Sequence, residues 1–263
     1  MKLSSCIDIM FTDIDFYDRF AKAKEGGVTA VEFWSWPNKD IQRVKEELEK
    51  NELDFAAFTM SSRNEAFSKE LGHGILNAGR KREFLAAIEE NIPVYRELNA
   101  AAMIVLIGQD NGTGYEKQVE NVKECLAAAA PLVEKENVNL VVEPLNTTER
   151  PNYVLPRSKE VFEILKEVNS PNIKLLFDMY HEQLMAGNLI NSIRGNLPYI
   201  GHIHIADVPD RNEPGTGELN YKNIFKVLTE MNYQNYIGME FRSTQDAAGT
   251  VQIIREIQKW GEV

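Results

Sequence analysis

The chain contains 263 residues, of which 43% are hydrophobic and 26% are charged, a balance typical of a globular protein with a substantial buried core. This length suits either two average domains or one α/β barrel. The net charge of -11, without a stripe of Lys or Arg along any segment, argues against nucleic acid and anionic membrane surfaces as partners.

The N-terminal segment and the cysteines indicate a reducing compartment. The segment "MKLSSCIDIMF" has one lysine and no continuous apolar core before Asp8, so it does not resemble a secretory signal. No run approaches the roughly 20 apolar residues of a membrane span. Cys6 and Cys125 form no CxxC pair, and two reduced thiols are their simplest state. We therefore expect a cytoplasmic protein.

Short apolar runs recur along the chain, and each is followed by a charged segment with helical periodicity. The runs are "LSSCIDIMF" from Leu3, "AVEFW" from Ala30, "DFAAFTM" from Asp54, "AAMIVLIG" from Ala101, "NLVVEPL" from Asn139, "IKLLFDMY" from Ile173, "IGHIHIADV" from Ile200 and "YIGMEF" from Tyr236. Strands buried on both faces have such nearly continuous apolar sequences, and alternation with helices implies parallel pairing through right-handed crossovers.

Eight strand and helix units predict an α/β fold, a single (β/α)8 TIM barrel, with residues 1–263 as one domain. The alternative is an open doubly wound sheet, which usually carries a Gly-rich phosphate loop after its first strand. Here the first strand leads instead into "FTDIDFYDRF". The longest expected loops follow strands three, five and seven, at the barrel face that carries the active site in such folds.

Polar residues interrupt the apolar runs at the carboxyl ends of the last four strands. They are Glu143 on the fifth strand, Asp178 and His181 on the sixth, His202, His204 and Asp207 on the seventh and Glu240 on the eighth. Each acid taken alone is typical of a helix cap or a loop anchor. Gathered at one barrel mouth, the acids would repel one another, and their burial is costly unless a cation compensates.

A divalent metal site is the compensation that these residue types favour. Carboxylates with one imidazole suit Mn²⁺ or Mg²⁺, with Co²⁺ as an alternative. The predicted ligands are Glu143, Asp178, His204 and Glu240. His204 lies nearer the end of its strand, whereas His202 sits one pleat deeper and is expected to support it. Glu32, on the other side of the barrel, is left outside the ligand set and could equally bind a loop backbone.

Aromatic residues lie near the ends of the first three predicted strands. They are Phe11, Trp34, Trp36 and Phe58, which are expected either to wall the pocket against water or to pack in the core.

The most specific motifs lie between Glu143 and Glu240. The run "VVEPLNTTERPNYVL", then "FDMYH", "GHIHIADVPDRNEPGTGELNY" and "GMEF", resembles hydroxypyruvate isomerases, which belong to the wider group of xylose-isomerase-like barrels. The resemblance places the family's metal ligands on Glu143, Asp178, His204 and Glu240. It further implies that Glu143 and Glu240 are the catalytic proton-transfer residues, that His181 and Arg211 bind substrate, and that the chain self-associates.

This reading predicts an isomerase that interconverts hydroxypyruvate and tartronate semialdehyde through a cis-enediolate. Some relatives carry Gln at the position of His204, whereas ketose 3-epimerases carry His, so a ketose 3-epimerase and a 2-oxo-tetronate isomerase remain alternatives. The partner is then a small hydroxy-keto acid or a sugar. A non-catalytic sugar-binding barrel is the alternative of another class, although it would have no use for paired glutamates at a metal. An endonuclease relative would need more histidines and a basic surface.

Overall fold

The structure, a computed structural model, describes residues 1–261. Eight parallel strands close into a barrel in sequence order, and the eighth strand pairs with the first. The strands are β1 Lys2–Cys6, β2 Ala30–Phe33, β3 Asp54–Thr59, β4 Ala102–Leu106, β5 Leu140–Glu143, β6 Ile173–Asp178, β7 Ile200–Ile205 and β8 Tyr236–Met239. Seven of them lie within the predicted apolar runs, and β1 begins one residue before its run. The predicted TIM barrel is confirmed. The open-sheet alternative is wrong.

Helices follow the strands and form the outer layer of the barrel. They are α1 Asp18–Gly26, α2 Ile41–Lys50, α3 Glu65–His73, α4 Lys81–Glu97, α5 Tyr115–Glu136, α6 Ser158–Val168, α7 Met179–Met185, α8 Leu189–Asn196, α9 Tyr221–Glu230 and α10 Ala247–Lys259. Within residues 1–261, no helix is both long enough and apolar enough to cross a membrane. Cys6 and Cys125 are both free and buried.

The segment after β3 differs from its predicted form. The sequence suggests a long loop there, but the segment contains α3. The side chain of Asn64 accepts a hydrogen bond from the backbone N–H of Phe67 at 3.1 Å and so caps this helix. Because a cap satisfies backbone donors that have no partner inside the helix, a short polar segment can hold a helical turn at the rim of the barrel.

Four neighbouring strands share one level inside the barrel. Ser4 of β1 is in register with Gly238 of β8, and Gly238 is in register with His204 of β7. His204 is in turn in register with Asp178 at the end of β6. Residues in register on neighbouring strands point to the same side of the sheet, so these four positions form part of one interior layer.

Asn91 on α4 connects the loops after β2 and β3 to the helical layer. Its amide nitrogen donates to the carbonyls of Ser61 and Ala87, both at 2.7 Å. Its amide oxygen accepts from the indole of Trp36 at 2.7 Å and from the Ser61 backbone at 3.1 Å. The side chain is fully buried, so these bonds have no competition from water.

Replacing Asn91 with Leu removes all four bonds and leaves buried donors without partners. We expect Asn91→Leu to lower the free energy of unfolding by about 2–4 kcal/mol, measured by urea denaturation. Gln42→Leu, a similar change on the exposed face of α2, should alter it by less than about 0.5 kcal/mol. Equal effects of the two substitutions would contradict this account of Asn91.

Candidate metal and active site

The barrel mouth brings the predicted ligand residues together. Each offers one ligand-type atom, and these atoms all lie within 4.8 Å of one another in a buried cluster formed by Glu143, Asp178, His204 and Glu240. Glu143 ends β5, Asp178 ends β6, and Glu240 directly follows β8. The carboxyl ends of parallel strands meet at one face of the barrel, which is why residues distant in sequence meet here.

The two carboxylate oxygens of Asp178 make different contacts. Oδ1 accepts the backbone N–H groups of Tyr180 at 2.8 Å and His181 at 3.1 Å and thereby caps α7. Oδ2 faces the cluster and lies 3.9 Å from Nδ1 of His204. The acid is therefore a helix cap and a member of the cluster at once.

His204 presents its Nδ1 atom to the acids of the cluster. This atom lies 3.3 Å from Glu240 Oε2, 3.7 Å from Glu143 Oε1 and 3.9 Å from Asp178 Oδ2. It is buried and has no hydrogen-bond partner within residues 1–261. An imidazole nitrogen without a partner, facing several carboxylate oxygens, has the donor set that a divalent cation of the Mg²⁺ or Mn²⁺ class accepts.

The negative charge of the cluster is offset partly by Arg211 and partly by proton uptake. Burial opposes the charged form of His204, but Glu240 and Glu32 outweigh it and raise its pKa well above the usual value. Burial also opposes ionisation of Glu240, yet His204 and Arg211 hold its pKa below the usual range. For Asp178, burial prevails and raises the pKa. A divalent cation would supply the same compensation without the proton on His204.

Arg211 holds Glu240 from the cavity side. One terminal nitrogen pairs with Glu240, and the other lies 2.9 Å from Glu149. The indole nitrogen of Trp34 donates to the second oxygen of Glu240 at 2.5 Å. Arg211 lines the cavity, but its fork is engaged by these acids. Its predicted contact with substrate therefore stays a prediction.

His181 is oriented by Asn146, in the loop after β5. The Asn146 backbone N–H lies 3.3 Å from His181 Nδ1, and since this group can only donate, Nδ1 must be the acceptor. Burial, aided by the charge of Arg211, lowers the pKa of His181 to about 4. The ring is therefore neutral near pH 7 with its proton on Nε2, which is buried without a hydrogen-bond partner in the part of the chain that the structure describes.

Glu32 lies outside the four-residue cluster, as expected from the sequence. Within residues 1–261 its carboxylate accepts no backbone N–H, so the alternative of a loop anchor does not hold; it reaches across the barrel interior, where Oε1 lies 2.8 Å from His204 Nε2. Oε2 lies 3.0 Å from His202 Nε2 and accepts the hydroxyl of Ser4 at 2.8 Å. The histidines outweigh burial and lower the pKa of Glu32 to about 2. His202 accordingly supports the site through Glu32.

The remaining polar and aromatic candidates separate into two groups. Asp207 organises the loop after β7, since it accepts the backbone N–H groups of Val208, Gly215 and Leu219. Trp34 is 41% exposed and lines the cavity at the mouth. The other aromatic candidates, Phe11, Trp36 and Phe58, are buried and belong to the core instead.

A cavity of about 570 Å³ opens over the cluster. Its charged lining consists of the acids Glu143, Glu149 and Glu240 and the arginines Arg150, Arg211 and Arg242. Glu149, Arg150 and Arg242 were not identified from the sequence, although the first two lie in the polar loop after β5. Another cavity of about 600 Å³ lies at the opposite end of the barrel, where Lys2, Asp54 and Lys174 line it, away from the cluster.

Comparison with known proteins identifies the family. A sequence model of the xylose isomerase-like TIM barrel family matches residues 20–261. The chain belongs to this family. The chain is similar to the hydroxypyruvate isomerase of Escherichia coli K12, with 31% identity over 92% of this chain and 93% of that protein. It is 32% identical to a 2-oxo-tetronate isomerase of Cupriavidus necator, over 92% of each chain.

Several solved structures have a fold similar to that of this chain. A Brucella melitensis protein described as an AP endonuclease of family 2 has a TM-score of 0.87 and 29% identity, and the match covers 94% of this chain and 95% of that one. The Escherichia coli 3-keto-D-glucoside 4-epimerase has a TM-score of 0.79 at 20% identity, with 100% and 99% coverage, and supports the fold alone. The resemblance to hydroxypyruvate isomerases is confirmed, and the chain is an isomerase of this family.

The fit of the cluster to a cation can be tested by thermal unfolding. We expect saturating Mn²⁺ or Mg²⁺ to raise the melting temperature by about 5 °C or more, because binding stabilises only the folded state. Asp178→Asn should abolish the increase, since it removes one charged ligand while its amide oxygen can still cap α7.

Asp246→Asn is the matched control. Asp246 caps α10 by accepting the N–H of Gly249 at 2.8 Å and is not a member of the cluster. This variant should keep the full increase with metal. An unchanged increase in Asp178→Asn would show that added metal stabilises the protein elsewhere.

Proposed function

We propose that the protein is a divalent-metal-dependent isomerase that interconverts hydroxypyruvate and tartronate semialdehyde. The observation that carries the proposal is the pair Glu143 and Glu240, two carboxylates from different strands that line the same cavity. The names of the relatives support the substrate. Buried free thiols at Cys6 and Cys125 favour a reducing, cytosolic location. Self-association stays an expectation from the family.

The proposed metal ligands are Glu143, Asp178, His204 and Glu240. When bound there, Mn²⁺ or Mg²⁺ would polarise the substrate carbonyl and acidify the neighbouring C–H bond. The chain's own groups then have to move one proton between adjacent carbons. In the forward direction, a proton leaves C3 of hydroxypyruvate and one is delivered to C2, while the hydroxyl proton passes from the oxygen on C3 to the oxygen on C2.

The two glutamates differ in how firmly they are held. Both oxygens of Glu240 accept hydrogen bonds, one from Arg211 and the other from Trp34. The Glu143 side chain accepts no hydrogen bond within residues 1–261, so its carboxylate is the freer one to take a proton from carbon. We assign Glu143 as the base that removes the proton from C3 and Glu240 as the partner carboxylate across the substrate.

His181 is suited to bind a substrate oxygen. Its neutral ring, with Nδ1 committed to Asn146, leaves the Nε2–H as a buried donor at the wall of the cavity. A neutral donor can hold a carbonyl or hydroxyl oxygen without adding charge. We therefore propose that His181 orients the substrate, in agreement with the role that the family resemblance implies.

Arg150 offers the free positive charge for a carboxylate substrate. It lines the cavity, and its guanidinium has no acidic partner within residues 1–261; the side chain instead lies 3.4 Å from Nδ1 of His73. Arg211 is held by Glu149 and Glu240, and Arg242 lies 3.6 Å from Glu149. We propose that Arg150 binds the substrate's carboxylate, which a neutral ketose lacks.

A 2-oxo-tetronate isomerase is the second candidate. The cavity of about 570 Å³ has ample room for a four-carbon acid, and the 32% identical relative of Cupriavidus necator carries this name. Both acids use the same proton transfer and the same anchor for the carboxylate. The ketose 3-epimerases among the solved structures are 17–18% identical and bear on the fold alone.

Proton exchange in D₂O tests the reaction directly. With Mg²⁺ present, the protein should convert hydroxypyruvate into tartronate semialdehyde, and NMR follows the product and its deuterium content. Turnover is also measured with Mn²⁺. We expect Glu143→Gln to lower kcat by about 10²- to 10⁴-fold, because the amide cannot accept the proton. Glu182→Gln changes a buried acid that binds the Ser158 backbone and should retain turnover. Turnover of the four-carbon acid or of fructose alone would reject hydroxypyruvate as substrate.

The proposed carboxylate anchor predicts a selective change in affinity. Arg150→Gln should raise KM for hydroxypyruvate by about tenfold or more and leave KM for dihydroxyacetone, an uncharged three-carbon analogue, unchanged. Arg157→Gln, which alters an arginine of the same loop that pairs with Glu160, is the control and should affect neither value. A similar rise for both substrates would assign Arg150 to the structure of the loop.

A further inference from the structure

We propose that Glu32 is a positioning residue, which fixes the tautomer and the orientation of His204 from behind the cluster. Glu32 lies on β2, whereas the cluster is built from β5, β6, β7 and the residue after β8. Its carboxylate contacts the His204 ring at Nε2, the nitrogen that faces away from the cluster. The proposal rests on the metal-binding part of the proposed function and is independent of the substrate's identity.

The two nitrogens of His204 face different surroundings. Nδ1 faces the acids of the cluster, and Nε2 lies 2.8 Å from Glu32 Oε1. A neutral imidazole has one N–H group and one lone pair. A carboxylate at Nε2 attracts the proton to that side, so the lone pair is left on Nδ1, where a cation held by the cluster would need it.

The other oxygen of Glu32 keeps the carboxylate in place. Oε2 accepts the hydroxyl of Ser4 at 2.8 Å and lies 3.0 Å from His202 Nε2. Glu32 is 2% exposed, so a rotation that broke these contacts would leave a buried charge without partners. Since such an unpaired charge is strongly unfavourable, Glu32 is fixed, and it fixes His204 in turn.

Gly238 leaves the space that Glu32 occupies. A Cβ atom at position 238 would lie 2.3 Å from Glu32 Oε1 and 2.7 Å from Cδ2 of His204, far inside contact distance. Gly238 stands between Ser4 and His204 in the same interior layer. The register between β2 and β3 also shifts around Glu32, between Val31 and Phe33. The missing side chain on β8 and the irregular pairing of β2 with β3 both lie beside this one side chain.

A second metal ion is the alternative occupant of this place. Glu32, His202 and His204 also offer ligand atoms within 4.8 Å of one another. Such an ion would require His204 to bridge two cations through both nitrogens, and Ser4 already donates to Glu32. Oε2 of Glu32 is therefore engaged by hydrogen bonds from Ser4 and His202. Oε1 and His204 Nε2 lie 2.8 Å apart in a close contact that lacks hydrogen-bond geometry, so their attraction is electrostatic. The stoichiometry of metal binding separates the two cases.

The first measurement is the affinity of the metal-free full-length protein for Mn²⁺ alone, by titration followed with EPR. We expect one ion per chain, with about 10- to 100-fold weaker binding in Glu32→Gln and Glu32→Leu. Glu213→Gln is the matched control, since Glu213 is also buried and accepts two hydrogen bonds, both from Thr244. If Glu32→Leu does not fold, the more conservative Glu32→Gln still decides the result.

Ser4→Ala tests whether the effect passes through Glu32. Removing the hydroxyl should weaken Mn²⁺ binding by about threefold in the wild-type background and have no effect in the Glu32→Gln background. Additive effects would show that Ser4 and Glu32 act on the site separately and would contradict the proposal.

The tautomer can be observed directly because the chain has only four histidines. In ¹⁵N-histidine-labelled protein with Mg²⁺, His204 should carry its proton on Nε2, and Glu32→Gln should give a mixture of tautomers or the Nδ1–H form. A purely structural role for Glu32 would lower the melting temperature without changing the tautomer or the affinity for Mn²⁺.

These outcomes separate this proposal from the proposed reaction. Weakened binding with an altered tautomer would support the role of Glu32 even if hydroxypyruvate were not converted. Binding within twofold of wild type in both Glu32 variants, or two ions per wild-type chain, would overturn it even if the enzyme turned hydroxypyruvate over.

Discussion

The mutual repulsion of three buried carboxylates is the constraint on which the rest of the site depends. Glu143, Asp178 and Glu240 meet at the barrel mouth because parallel strands end there, and each is less than a tenth exposed. Buried acids at this separation require positive charge or donated protons. Arg211 supplies part of the charge, and the proposed cation beside the open Nδ1 of His204 would supply the rest.

The loops of the mouth are held so that these groups have little freedom. Asn146 accepts the backbone N–H groups of Thr148 and Glu149 and also binds the ring of His181. Asp207 accepts hydrogen bonds from three backbone N–H groups of the loop after β7. This loop also carries Arg211. A preorganised site of this kind loses little conformational entropy when substrate binds, which is the usual advantage of placing reactive groups on strand ends of a rigid barrel.

The sequence predicts the barrel and the meeting of the four cluster residues well, because both follow from strand periodicity and from the common end of parallel strands. It could not predict Glu32. A residue on β2 meets β7 only through the interior of a closed barrel, and the space that permits this depends on Gly238, whose missing side chain carries no signal in a linear pattern. The same limit explains Phe11 and Phe58, since a residue near a strand end can face the core as readily as the mouth.

The ion pairs of Arg211 with Glu149 and Glu240 could not be predicted from the sequence either. An arginine after a strand indicates a positive charge but does not show which acid pairs with it. Glu149, which lies in the loop after β5, meets Arg211 only in the folded barrel. Arg150 stands beside Glu149 in sequence, yet it has no acidic partner within residues 1–261. Adjacent residues with opposite roles cannot be told apart until the loop geometry is known.

The pairing of β8 with β1 also sets an order of events during biosynthesis. The strands that bear Glu143, Asp178 and His204 leave the ribosome first, but Glu240 follows β8, which closes the barrel against β1. Until β8 has emerged, the barrel cannot close and the cluster lacks Glu240. The cluster therefore becomes complete only when the last strand docks, so a nascent chain does not hold all four residues together before it has a finished fold.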